Sequence, residues 1–162
     1  MFQELMSFNA AKAGYERISD SGTARRVAAE WFKRALRQGR AKRFPANLLG
    51  RPRQLCNLMQ ITRDVVRQHY VGLRTVALSQ IHGSENRTRE FDVDFYPLEE
   101  HIEQRWLNVA VARLKGDNLP PIELIQFGDV YYVRDGHHRV SVAHALGQQD
   151  IEAVVTVGEA AK

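Results

Sequence analysis

The stretch "VRDGHHRVSVAHALG", residues 133–147, sets an acid, a glycine, two histidines and an arginine directly ahead of an apolar helical pattern. Upstream of it, "PIELIQFGDVYYVRDG" reads as two strands around a Gly128-Asp129 turn, because β-branched and aromatic residues flank a turn dipeptide. Downstream, "HHRVSVAHALG" predicts a short helix closed by Gly147, and "IEAVVTV" predicts a last strand. The 133–147 stretch is therefore a strand, a sharp turn and a helix. That order places the turn residues at a helix N-terminus.

Working outward, "PLEEHIEQRWLNVAVARLKG" predicts a helix with Pro97 at its first position and Leu98, Ile102, Trp106, Val109 and Ala110 on one face. "GSENRTREFDVDF" is polar and turn-rich, and its Phe91, Val93 and Phe95 alternate with Asp92 and Asp94 as in a half-buried strand. "RTVALSQI" is a short β-branched run and predicts a strand. Earlier still, "TARRVAAEWFKRALRQG" spaces Ala24, Val27, Ala28, Trp31, Phe32, Ala35 and Leu36 on one stripe, with Gly39 at the expected stop. "RAKRFPANLLGRPRQ" predicts a basic connector, and "LCNLMQITRDVVRQHYVGL" a further helix with Leu55, Leu58, Met59, Thr62, Val65 and Val66 on one side. The expected architecture is a basic helical lobe over 1–73 followed by an α+β unit over 74–162.

The 162 residues suffice for one core, with 44 % hydrophobic and 26 % charged residues in the range of soluble globular chains. No apolar run approaches the roughly 20 residues needed to cross a bilayer, and the first residues lack a secretory pattern. The single cysteine, Cys56, allows no intramolecular disulfide and is expected in a helix interior. A cytoplasmic chain without membrane contact is the expectation. The net charge of +4 conceals an asymmetry, because residues 1–75 carry 15 Lys and Arg against 5 Asp and Glu while residues 76–162 carry 8 against 14. Within the basic half, Arg40, Lys42, Arg43, Arg51 and Arg53 are candidates for non-specific contact with nucleic acid. Docking of that half on the acidic one, or on another subunit, is the rival explanation.

The turn residues admit two readings. The free N–H groups and dipole of a helix start favour an anion, Gly136 permits close approach, and Arg139 supplies a forked cation. His137 and His138 can donate to a phosphate or move a proton near neutral pH. Alternatively Asp135 is the N-cap and Arg139 its ion-pair partner, and the carboxylate fills the anion's place. No metal site is expected. Adjacent helical histidines diverge by about 100°, and His144 stands about 10 Å along the axis from His137.

The order "SENRTREFD … LEEHIEQRW … NLPPIELIQFGDVYYVRDGHHRVSVAHALG … IEAVV" resembles the ParB/sulfiredoxin superfamily over roughly residues 74–157. The resemblance implies a small mixed sheet with packed helices and a Gly-x-x-Arg phosphate turn. ParB proteins carry Gly-Glu-Arg-Arg there and bind CTP; Gly136 and Arg139 match. Sulfiredoxins carry Gly-Cys-His-Arg, and with His137 at the cysteine position the repair of sulfinic acids is excluded on chemistry. Free serine kinases of this fold carry Asp-Gly-x-His-Arg, which Asp135, Gly136, His138 and Arg139 match, together with an early glutamate base for which Glu85 is the nearest candidate. Arg87 and Arg89 are candidates for a second phosphate, and His138 with Glu85 for proton transfer. The implied ligand is a nucleotide or other phosphorylated molecule, with CTP, ATP or ADP and magnesium as candidates. Two alternatives stand beside it: a phosphotransferase or nuclease using the same pocket, and a non-catalytic assembly module.

Overall fold

Six strands form one mixed sheet in the order β1-β3-β5-β4-β6-β2, with three of the four helices on one face, in a computed structural model that describes residues 17–50, 53–61 and 65–160. The elements are α1 (Ser21–Leu48), β1 (Cys56–Asn57), α2 (Leu58–Ile61), β2 (Val65–Ala77), β3 (Ile81–Ser84), α3 (Glu103–Lys115), β4 (Ile122–Phe127), β5 (Val130–Asp135), α4 (His137–Ala145) and β6 (Asp150–Ala160). β1/β3, β3/β5 and β4/β6 pair in parallel, and β4/β5 and β2/β6 pair antiparallel. The chain is thus α+β, with a helical N-terminal part. No helix among the described residues is long and apolar enough to cross a membrane.

Successive strand residues face opposite sides of a sheet, and β4 shows what that does here. Leu124 joins the main core with Trp31, Phe32, Trp106, Val133, Val140 and Val155, all buried beneath α1, α3 and α4. Its neighbour Ile125 packs on the other face with Leu58 and Tyr132. The helical face is locked at its centre by Trp106, fully buried, whose ring meets Phe32 edge-on at 5.6 Å and whose indole N–H donates to Ser141 Oγ at 2.9 Å. Truncating a buried aromatic of this size costs about 3–5 kcal/mol. The buried residues of α1 belong to the same cluster as those of the sheet, and β2 runs across residue 73.

The hairpin β4/β5, the helix ended at Gly147 and the last strand match expectation. Several segments do not. α1 passes through Gly39 and Pro45 and ends at Leu48, with Gly50 at φ 66° turning the chain out. Gly39 is there for contact rather than termination, because a Cβ on it would stand 2.6 Å from the carbonyl oxygen of Pro97. Residues 65–73 form strand rather than helix: in β2, paired with β6 from Val65↔Ala160 to Ala77↔Asp150, their valines gain a long ladder that an isolated helix would forgo. Cys56 is exposed on β1 instead of buried in a helix.

The segment around Asp92 is a tight turn rather than a strand. Asp92 is fully buried and its Oδ1 accepts from the backbone N–H groups of Asp94 at 3.0 Å and Tyr96 at 2.9 Å. Phe95 takes φ 58°, so Phe91 and Phe95 both turn inward, their rings 6.2 Å apart. Pro97 bridges Phe91 instead of opening a helix, and a 3₁₀ turn at Glu100–Ile102 leads into α3.

Candidate functional site

β5 delivers Asp135 to the sheet's end, Gly136 turns the chain at φ 97°, and α4 begins with His137. A Cβ at Gly136 would meet Ile122 Cγ2 at 2.5 Å, so both the backbone angle and the space demand glycine. No side chain caps α4. The N-cap reading of Asp135 is therefore replaced: its Oδ2 lies 2.6 Å from Nη2 of Arg139, and the carboxylate leaves the helix end open.

Arg139 is held on three sides. Nη1 donates to the carbonyl oxygens of Pro120 at 2.6 Å and Pro121 at 2.8 Å, and Nη2 to Asp135. Its guanidinium thereby ties the β4 approach to the turn. Two further cations beside the helix end come from elsewhere. A cleft of about 200 Å³ lies against Gly136–Arg139, walled by Arg87 from the loop after β3 and by Arg105 from the first turn of α3. Arg87 contacts Glu90 at 3.5 Å, and Arg105 makes no ion pair among the described residues. Nothing in the sequence singled out Arg105: its neighbour Trp106 carries the helical pattern, and only tertiary packing aims the flanking cation at α4.

The two histidines part company. His137 is buried, its ring stacks on Phe91 at 6.3 Å, and its Nε2 stands 2.7 Å from Ser84 Oγ. That hydroxyl already accepts from the N–H groups of Asn86 at 3.2 Å and Arg87 at 2.8 Å. Its one proton is left to donate to Nε2, which places the imidazole proton on Nδ1. Burial, with the nearby Arg87 charge, lowers the His137 pKa to about 4. His137 is thus a neutral support that fixes the β3 end against α4. His138 lines the cleft, meets Phe91 edge-on at 5.6 Å, and has two buried ring nitrogens with no hydrogen-bond partner. Burial lowers its pKa to about 4 as well; Glu90 opposes the shift, and Arg87 and Arg105 add to it.

The remaining candidates lie outside this cleft. Glu85 sits 3.4 Å from Arg134 Nε, and Arg134 in turn donates to Gln68. Arg89 lines a neighbouring cleft of about 530 Å³ that shares Arg87 with the first and is rich in carboxamides, including Asn57, Gln60 and Asn86. Among the basic residues, Arg40 pairs with Glu100 at 3.0 Å and Lys42 with Asp94 at 3.2 Å. Arg53 pairs with Asp94 and, at 3.4 Å, with Asp92. Arg43 makes no ion pair among the described residues, and Arg51 lies outside them. Asp94 is held below the usual carboxylate range by Lys42 and Arg53 against its burial, whereas burial drives Asp92 up. Among the described residues no group of three or more His, Cys, Asp and Glu comes together as a metal cage.

No protein-family model matches the chain, and no curated protein matches its sequence. Among solved structures it is similar to the crystal structure of sulfiredoxin from Arabidopsis thaliana, with 20% identity and a TM-score of 0.39 over 51% of this chain and 82% of that one.

Proposed function

We propose that the cleft at the start of α4 binds the phosphates of a nucleotide. The observation that carries the reading is the convergence of an uncapped helix N-terminus with two guanidinium groups, Arg87 and Arg105, from separate elements. Amide N–H groups and the helix dipole favour an anion, and paired guanidinium forks suit phosphate oxygens. The unpartnered ring of His138 would give a bound oxygen one more donor, and the adjoining carboxamide-lined cleft offers paired donors and acceptors to the uncharged end of the ligand.

Binding without bond breaking fits the carboxylates best. Asp135 lines the cleft, but its Oδ2 is engaged by Arg139, and Glu85 is engaged by Arg134 away from the cleft. A general base needs to reach the nucleophile, and neither acid is free to do so.

The test is calorimetric titration of CTP, ATP and ADP, with and without magnesium, into the wild type and Arg105→Ala. Arg105 is the cleaner probe, since it is exposed while Arg139 supports the fold. One nucleotide should bind the wild type and lose about tenfold or more in affinity in the variant, in keeping with a lost charge-assisted contact. Absence of binding to all three nucleotides refutes the reading.

A further inference from the structure

Residues 31–63 hold nine Lys and Arg and no Asp or Glu. Three of those cations are occupied by acids of the second half of the chain, as described above for Arg40, Lys42 and Arg53. Arg37 and Arg43 are not: neither makes an ion pair among the described residues. Beside them stand three large apolar side chains that the fold leaves in water, with Phe44 77%, Leu48 81% and Leu49 74% exposed. Helical geometry explains the exposure. At 3.6 residues per turn, Phe44 lies about 140° and Leu48 about 180° round the axis from Gly39, the last buried position of α1. Phe44 and Leu48 are one turn apart, and the exposed Arg37 precedes Phe44 on the same side by two turns; Arg40, one turn before Phe44, is held by Glu100. The helix is gripped by the core on one side and presents a basic, apolar surface on the other.

We propose that this outer face of the last turns of α1 docks on an anionic lipid surface. Guanidinium groups draw anionic head groups, while Phe44, Leu48 and Leu49 enter the boundary between head groups and acyl chains. A second copy of the chain fits poorly, because apposed α1 ends would set Arg37 and Arg43, which no acid among the described residues neutralises, against their own duplicates. A protein partner fits poorly because the patch spans little more than two turns, far short of the roughly 20–30 residues a stable interface uses on each side. A nucleic-acid backbone would satisfy the arginines and leave the three apolar groups in water. A bilayer needs no matching contour, only charge and an apolar interior.

The test is co-sedimentation of the full chain with vesicles of phosphatidylglycerol and phosphatidylcholine in equal parts, and with phosphatidylcholine alone, at low and high salt. The comparison variant is Phe44→Ser, Leu48→Ser, Leu49→Ser, whose exposed positions leave the core untouched and whose fold is checked by circular dichroism. Expected is binding to the mixed vesicles that falls about tenfold or more both in the variant and at high salt. Three results overturn the proposal: no binding of the wild type to the mixed vesicles, binding that the variant retains in full, or equal binding to phosphatidylcholine alone. Patch-dependent, salt-sensitive binding to duplex DNA with no vesicle binding assigns the face to nucleic acid instead.

Discussion

Ser84 and His137 are joined through a hydroxyl proton, with Oγ and Nε2 2.7 Å apart, and that bond fastens the end of β3 to the first turn of α4. Both residues are buried, Ser84 fully. The Ser84 oxygen also carries the N–H groups of Asn86 and Arg87, so one atom organises the loop that supplies Arg87 to the cleft at the start of α4. Ser84→Ala leaves an imidazole nitrogen without its donor and two backbone donors without their acceptor. A loss of about 1–3 kcal/mol of folding stability is expected. Urea denaturation followed by fluorescence measures it; an unchanged midpoint would mean that the loop is held by other means.

Acid should unfold the chain through the histidines of α4. His137 and His138 fall to about 4 from an ordinary value of 6.5, mainly through burial, and His144 is lowered by the same cause. A histidine depressed in the fold binds its proton more readily when unfolded. Its neutral form therefore stabilises the fold fully above about pH 6.5, and that contribution is lost as the pH falls toward 4. His137 and His138 each contribute a slope of up to about 1.4 kcal/mol per pH unit within the window. Neighbouring charges set the finer balance: Arg87 and Arg105 resist protonation of His138, while Glu90 and Asp135 assist it. Urea midpoints taken across the window should decline steadily with acid. His138→Leu should flatten the decline by one histidine's share, and an identical slope in that variant rules His138 out of the linkage.

The residue patterns carried the second half of the fold further than the first. The β4/β5 hairpin was legible because Gly128-Asp129 interrupts two β-branched runs, and Gly128 indeed takes φ 61°. The helix before Gly147 was legible from its apolar spacing. Residues 65–73 misled because "VVRQHYVGL" carries apolar residues at spacings that suit either period, and only pairing with β6 decides. Gly39 misled for the opposite reason. Its signal is that of a stop, but its cause is the carbonyl of Pro97, almost sixty residues away in sequence. In the cleft, Gly136 and the two histidines were named from sequence, whereas Arg105 and Ser84 were not. Both reach the cleft or its supports by packing between elements, and no local spacing encodes that.

Arg139 offers the sharpest separation of support from ligand contact. Its planar fork spans the carbonyls of Pro120 and Pro121 and the carboxylate of Asp135, with its side chain only 15% exposed. A lysine places one compact charge where a fork is required and cannot reach all three acceptors together. Arg139→Lys should therefore cost about 0.5–1.5 kcal/mol of stability, since one of the partly exposed carbonyls of Pro120 and Pro121 loses its donor. Nucleotide affinity should fall less than in Arg105→Ala, which in turn should leave the urea midpoint where it is. The two variants thus move the two measurements in opposite order. If Arg139→Lys keeps the wild-type midpoint and abolishes nucleotide binding, Arg139 leaves its carbonyls to hold the phosphate, and the division of labour between Arg139 and Arg105 is reversed.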